Sequence, residues 1–358
     1  MDFDSRLDAE FAHEKLTVFE DPDTGASGAI AIHSTALGPA MGGLRLFEYR
    51  SLGDGLLDAL RLARAMSLKN AAAGLDLGGG KAVLFDDGRW VEGREERMRA
   101  VGRVIEELGG SYVTAEDVGT APDDMDSIAE VTSHVAGCSV ERGGRGDPST
   151  WTARTVFGAI SSAVRIRLGA GDLRGLRVGV QGVGHVGSRL VALLAAAGAE
   201  VFVADVDPLR VAATAAEHQV TPLPLEGFVL RDFDVLAPCA MGGAIAVGDA
   251  ASVLSTVVAG AANNPLADSA TAFELAARGV LYVPDFLANC GGIIHVGAEV
   301  LRLGDGDVED LVQASLARTD RILQEATWSG RLPLQLAIEF AESRLRGGES
   351  LATVARSV

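Results

Sequence analysis

Lys69 and Lys81 flank the run Asn70-Ala71-Ala72-Ala73-Gly74-Leu75-Asp76-Leu77-Gly78-Gly79-Gly80. An ammonium set among apolar neighbours and near a second ammonium has its charged form disfavoured, which brings its pKa toward neutrality and lets it act as an acid or base. Gly78, Gly79 and Gly80 are expected to let the chain approach a bound small molecule closely and deliver Lys81 to it. The bland alternative makes Lys69 a helix-end cation and the glycines a turn. Asp117 follows the short strand-like run Tyr112-Val113-Thr114-Ala115; nearby lysines would keep it ionised and able to take a proton, and its competing reading is a cap before Pro122. Arg45 ends Gly38-Pro39-Ala40-Met41-Gly42-Gly43-Leu44, read as a loop whose glycines turn N–H groups toward a ligand while the arginine pairs with a carboxylate.

These residues need a scaffold. Leu56, Leu57, Leu60, Leu62, Ala63 and Met66 recur at helical spacing and predict a helix over 51–68 that Lys69 closes. Ahead of it, residues 1–20 read as a helix (Leu7, Phe11, Leu16) leading into Thr17-Val18-Phe19. A turn at Pro22-Asp23-Thr24-Gly25 and a strand over 28–34 complete a hairpin. A strand over 81–85 and a charged amphipathic helix over 92–108 follow. The glycine-rich stretch 142–148 predicts a hinge between domains.

Beyond it, a strand over 175–181 enters Gly182-Val183-Gly184-His185-Val186-Gly187; a helix over 188–197 and a second strand over 200–204 lead to Asp205. Strand, GxGxxG, helix, strand and acidic residue in this order is the dinucleotide-binding arrangement. Gly182 makes the tight turn, Gly184 admits the pyrophosphate and Gly187 packs helix on strand. Asp205 accepts ribose hydroxyls and repels a 2′-phosphate, so NAD is expected over NADP. Later short β runs end near Cys239-Ala240, Asn263 and Asn289, the positions where open α/β sheets bind ligands, although either asparagine could instead satisfy loop backbone.

Oxidising an amine by hydride transfer needs a cation for the substrate carboxylate, a base for its ammonium proton, a group that activates water on the imine, and a placed nicotinamide. Lys69, Asp117, Lys81 and the second domain can supply them. A hydroxy-acid enzyme would want a histidine base paired to a carboxylate, and no such pairing is visible.

The 358 residues allow about two domains. A net charge of −18 argues against nucleic acid, whose phosphates demand clustered Lys and Arg. Cys138, Cys239 and Cys290 form neither a disulfide framework nor a CxxC pair, which predicts a reducing cytoplasm. The six histidines show no ligand spacing, so no metal is expected, and no apolar run reaches membrane-spanning length. The acidic start is unlike a secretory signal.

GPAMGGLR (38–45), MSLKNAAAGLDLGGGKAV (66–83), TAEDVGT (114–120), GVGHVG (182–187), APCAMGG (237–243), GAANN (260–264) and PDFLANCGG (284–292) stand in one order along nearly the whole chain. Together they resemble the glutamate/leucine/phenylalanine/valine dehydrogenase family. The resemblance implies an α/β protein of two domains: an N-terminal α/β substrate and oligomerisation domain (1–140) and a Rossmann dinucleotide-binding domain (141–330). A C-terminal helical segment (331–358) would pack back on the first. It further implies NAD-dependent reversible oxidative deamination of an L-amino acid to a 2-oxo acid and ammonia, by a homo-oligomer. By similarity Lys69 binds the substrate carboxylate, Lys81 assists water attack, and Asp117 shuttles protons with the amine. Gly42 and Gly43 lie near the substrate, Asn263 beside substrate and nicotinamide, and Thr152 near the carboxamide. His185, Val186, Cys239, Ala240 and Asn289 join the cofactor contacts. Met41, Ala115, Ile293 and Val296 would line the side-chain pocket; all are aliphatic, which disfavours glutamate and favours leucine, valine or isoleucine. His295-Val296-Gly297-Ala298-Glu299-Val300 resembles the phenylalanine enzymes, so phenylalanine or tryptophan is the alternative substrate, and an NAD-binding regulator without activity is the alternative of another class. Arg154 and Thr155 stand where the family resembled usually has an apolar or aromatic residue and glycine.

Overall fold

The computed structural model describes residues 12–347 except Met241 and Val247, without the side chain of Ser269. Contacts divide them into two units interleaved in sequence: one of residues 12–147, 293–308 and 341–347, the other of Pro148–Gly292 and Glu309–Phe340. The division falls at 147/148, not 140/141, and the first unit takes back two later segments that no shift in composition marks.

In the first unit, strands β1 (Lys15–Glu20), β2 (Ser27–Ser34), β3 (Ala40–Phe47), β4 (Gly78–Phe85) and β5 (Tyr112–Glu116) form a sheet in the order β1-β2-β4-β3-β5. β3 runs parallel to β4 and β5, while β2 is antiparallel to β4 and to β1. The expected hairpin is β1–β2. The helix expected before it is not found where it can be examined: Leu16 lies in β1, and Leu7 and Phe11 fall outside the described residues.

Strand residues alternate between faces, and that alternation places the site. Even-numbered Ile30, Ile32, Leu44, Leu46, Ala82 and Leu84 pack with Met98, Val101 and Ile105 of α2 (Arg94–Glu107) and with Met125 and Ile128 of α3 (Pro122–Ala129). Odd-numbered Ala29, Ala31 and Val83 pack on Ala59, Leu60 and Ala63 of α1 (Leu52–Ala73). α1 lies across that face antiparallel to β4: a Cβ on Gly55 would strike the Phe85 ring, and one on Gly79 would strike the backbone of Ser67.

Three expectations are corrected here. Residues 40–47 form a strand inside the sheet, not a loop. Gly78, Gly79 and Gly80 belong to β4, and the space their missing side chains leave is filled by the Ser34 carbonyl, the Ser67 backbone and the Tyr112 ring, so the close approach is to the protein's own chain rather than to a ligand. α1 also continues past Lys69 to Ala73, where Gly74 caps it at φ 83°, and no basic residue occupies its last turn, which removes the helix-end reading of Lys69.

The second unit carries β6 (Arg177–Gln181), β7 (Glu200–Ala204), β8 (Thr221–Pro222), β9 (Val235–Pro238), β10 (Val257–Val258) and β11 (Leu281–Tyr282), all parallel, in the order β11-β10-β9-β6-β7-β8. Val178, Val180, Val201 and Val203 pack with Val156 and Ile160 of α4 (Ser149–Leu168) and with Leu190 and Leu194 of α5 (His185–Ala196). The chain winds outward from β6 to β8 and restarts beside β6 with β9, so the carboxyl ends of β6 and β9 form the switch point where doubly wound sheets bind ligands. α6 (Pro208–His218) precedes β8 in sequence, and α7 (Ser269–Ala277), α8 (Asp285–Ala288), α9 (Gly291–Val300), α10 (Asp305–Ser329) and α11 (Pro333–Gly347) come after it. Arg344, in the part of α11 that belongs to the first unit, donates to that unit's own Leu75 carbonyl at 2.7 Å and to Asp76 at 2.6 Å. Among the described residues no helix is long and apolar enough to cross a membrane.

Candidate active site

Lys81 shares the odd-numbered face of the first sheet with Met41, Gly43, Arg45 and Ala115, and Asp117 follows β5 by one residue. Nζ of Lys81 donates to Oδ2 of Asp117 at 2.7 Å. Nε of Arg45 donates to the same oxygen at 2.9 Å. Among the described residues nothing donates to Oδ1. Arg45 is held in turn by Asp58 of α1 at 3.0 Å, and the Tyr49 hydroxyl donates to that Asp58 oxygen at 2.6 Å.

The Lys81 side chain is 5% exposed. Burial pulls its pKa below the ordinary lysine value; the Asp117 carboxylate works against that pull and the Arg45 cation with it. For Asp117, burial acts upward, but Lys81 and Arg45 outweigh it and hold the carboxyl below its usual range. Buried ion pairs rarely contribute more stability than apolar residues of the same size, so this arrangement is not a stability device. It keeps a carboxylate ionised beside a lysine whose proton is loosened. The capping alternative for Asp117 is excluded: Asp124 accepts the Ala121 N–H at α3, and Asp117 spends its side chain on the two cations.

Gly43 makes room for the pair, since a Cβ there would lie 2.7 Å from Asp117 Cβ and 3.1 Å from Lys81 Nζ. Gly42, expected near the substrate through its backbone, has the Gly80 carbonyl where a Cβ would stand. Lys69 is half-buried on α1, two residues beyond the Ser67 that rests on Gly79. Met41 and Ala115 are buried in β3 and β5; Ile293 and Val296 lie one turn apart on α9, which packs at Gly297 against Leu75 and Leu77. Asp58 and Tyr49 were missed by the sequence reading. Asp58 did carry a signal, because it sits on the face of α1 that Gly55 and Leu62 define, where an unpaired carboxylate is costly.

The second unit gathers the other expected residues at its switch point. Gly182 has φ 99°, and a Cβ there would come 2.7 Å from the Ala240 nitrogen, so only glycine fits where β6 turns beneath the loop after β9. Cys239 donates its N–H to the Gln181 carbonyl at 2.7 Å, and burial pushes its thiol pKa up to about 12. Gly184 caps α5, and His185 and Val186 open that helix, whose N-terminal N–H groups suit a pyrophosphate. Arg210, not expected from the sequence, lies 3.9 Å from the space beside Gly184. Asp205 accepts the N–H groups of Val183 (2.7 Å) and Asp207 (2.9 Å), one on each oxygen, leaving further lone pairs for a donor such as a ribose hydroxyl. Asn289 donates to Asn263 Oδ1 at 2.9 Å, and its own Oδ1 is buried with no partner among the described residues, an acceptor fit for a bound ligand's donor. Thr152 lies against Gly292. Thr155 is fully buried, and its hydroxyl accepts the Gly291 N–H at 3.1 Å; Arg154 turns to Glu309 at 2.7 Å and over the Trp151 ring. These groups fit a dinucleotide.

A Rossmann-type sheet with a glycine turn at its switch point, and a buried lysine of a second sheet paired with a half-buried carboxylate at that sheet's end, define the class of dinucleotide-dependent oxidoreductases. Residues 13–134 match the family profile described as Glu/Leu/Phe/Val dehydrogenase, dimerisation domain, and residues 208–306 match Glutamate/Leucine/Phenylalanine/Valine dehydrogenase. The leucine dehydrogenase of Bacillus subtilis is 37% identical over 94% of this chain and 92% of its own, and the valine dehydrogenase of Streptomyces coelicolor is 40% identical over 93% and 92%. The crystal structure of L-tryptophan dehydrogenase from Nostoc punctiforme superposes with a TM-score of 0.85 at 32% identity, covering 97% of this chain and 99% of that one. The chain belongs to the glutamate/leucine/phenylalanine/valine dehydrogenase family and is an amino acid dehydrogenase.

Proposed function

We propose that this enzyme catalyses the NAD-dependent, reversible oxidative deamination of a branched-chain L-amino acid, leucine, valine or isoleucine, to its 2-oxo acid and ammonia, as a homo-oligomer. The observation that carries the reading is the buried Lys81 bonded to Oδ2 of the half-buried Asp117, whose Oδ1 is unengaged among the described residues. Lys69 pairs with the substrate carboxylate. Asp117 Oδ1 accepts the proton of the α-ammonium. NAD, when bound at the switch point by Gly182, Gly184, Gly187, Asp205 and Asn289, supplies the two-electron acceptor that turns the amine into an imine. Neutral Lys81 takes a proton from the water that adds to the imine carbon, Asp117 returns its proton to the nitrogen, and as ammonia leaves the hydroxyl gives its proton to the re-ionised Asp117 and the C=O bond forms.

Met41, Ala115, Ile293 and Val296 support an aliphatic side chain, because none of them offers a charge to a second carboxylate. The leucine and valine dehydrogenase relatives favour the same class. A second reading, phenylalanine or tryptophan, is favoured by the tryptophan dehydrogenase likeness and by the resemblance of residues 295–300 to the phenylalanine enzymes. The test is kcat/KM over a panel of L-amino acids with NAD and with NADP. Leucine or valine should exceed phenylalanine by about tenfold, the scale on which small differences in apolar fit discriminate, and NAD should exceed NADP. Phenylalanine or tryptophan ahead would overturn the aliphatic pocket, and NAD binding without turnover would favour a regulator.

A further inference from the structure

We infer that Arg45, clamped by Asp58 and Tyr49, is a positioning residue for the reaction: it fixes Asp117 through Oδ2 and so reserves Oδ1 for the proton that the substrate gives up. The inference rests on the deamination reading for its chemistry but on geometry for its form. Lys81 alone would leave the Asp117 carboxyl one hydrogen bond, about which it can turn and present either oxygen. A second donor converging on the same oxygen, Nε of Arg45 at 2.9 Å beside Nζ of Lys81 at 2.7 Å, removes that freedom. Arg45 is itself anchored: another nitrogen of its guanidinium reaches Asp58 Oδ2 at 3.0 Å, and the Tyr49 hydroxyl binds that oxygen at 2.6 Å. The chain Tyr49–Asp58–Arg45–Asp117–Lys81 therefore joins α1 to the ends of β3 and β5 with alternating charge. Lysine could not replace Arg45, because a single ammonium has no planar fork with which to span two carboxylates in fixed directions.

Alternating charge gives the network a signature. Arg45 disfavours a proton on both Asp117 and Lys81, whereas Asp58 favours one on Lys81. Removing Arg45 should move the acid limb of kcat/KM to higher pH, and removing the Asp58 charge should move it lower. A residue that merely supports the fold would not give opposite shifts.

The experiment compares Arg45→Met, Arg45→Lys, Asp58→Asn and Tyr49→Phe with the wild type, using leucine and NAD. Arg45→Met should lose about 10- to 100-fold in kcat, the scale of a displaced proton-transfer group, with KM for leucine changed less than about threefold and the acid limb raised. Arg45→Lys should bring the limb back but not kcat. Asp58→Asn should lower the limb, and Tyr49→Phe should cost only a few-fold in kcat. The pH dependence of acetic anhydride labelling at Lys81, read by peptide mass, follows the same shifts without turnover, so a wild type silent on every amino acid would count against the deamination reading and leave this test standing. If Arg45→Met does not fold, the opposite-sign shift is still read from Asp58→Asn. Wild-type kcat and limb in both Arg45 variants, a loss confined to KM, or an Asp58→Asn shift to higher pH would overturn the inference.

Discussion

A Cβ on Gly43 would lie 3.1 Å from Nζ of Lys81. Gly43→Ala must therefore push the lysine or Asp117 aside, and because Asp117 Cβ is nearer still at 2.7 Å, the carboxylate cannot keep its place. We expect kcat to fall by about 100-fold, as misplacement by an ångström does, while the even-numbered face of the sheet keeps the fold. Circular dichroism and steady-state kinetics on the variant check this. Undiminished kcat would mean that the Lys81–Asp117 geometry is not what the reaction uses.

His33, whose Nδ1 meets the Ser67 hydroxyl at 2.8 Å, is pulled down to about 4, first by burial and then by the neighbouring His13. In an unfolded chain histidine titrates near 6.5. Between those values the unfolded state binds more protons than the folded one, so the stability that His33 contributes is present above about 6.5 and is lost as pH falls toward 4. Urea unfolding across this window should show stability declining with acidity, and His33→Gln should flatten that decline. An unchanged slope in the variant removes His33 as its source.

The Thr155 hydroxyl accepts the Gly291 N–H at 3.1 Å inside a fully buried site. Thr155→Val keeps the shape and strands that donor, which should cost about 1–3 kcal/mol in chemical denaturation. Amino acid selectivity should stay as in the wild type. A neutral result would show that the N–H has found another acceptor.

The groups proposed to react were legible because their chemistry is unusual for their position. Lys81 after three glycines, Asp117 at a strand end, and the GxGxxG run with Asp205 all break the pattern of a plain core, and the structure brings Lys81 and Asp117 into contact. What supports them was not legible. Arg45 invited a carboxylate, but nothing local says that the carboxylates are Asp117 and Asp58, far apart in sequence and joined only when α1 lies across the sheet. The same tertiary fact misled the reading of the glycines. Gly78, Gly79 and Gly80 look like a ligand-facing loop until α1, β2 and β5 are seen to fill the space beside them. Arg210 near Gly184 was hidden for the same reason.

The most direct test runs the reaction in the amination direction: purified protein, 4-methyl-2-oxopentanoate, ammonium and NADH, with leucine measured as product in the wild type and in Lys81→Ala. We predict leucine in step with NADH consumed by the wild type, and a rate at least about 1,000-fold lower in the variant, within the range for loss of an acid–base group. No leucine from the wild type, or a comparable rate from Lys81→Ala, would contradict the assignment of this chemistry to the Lys81–Asp117 pair.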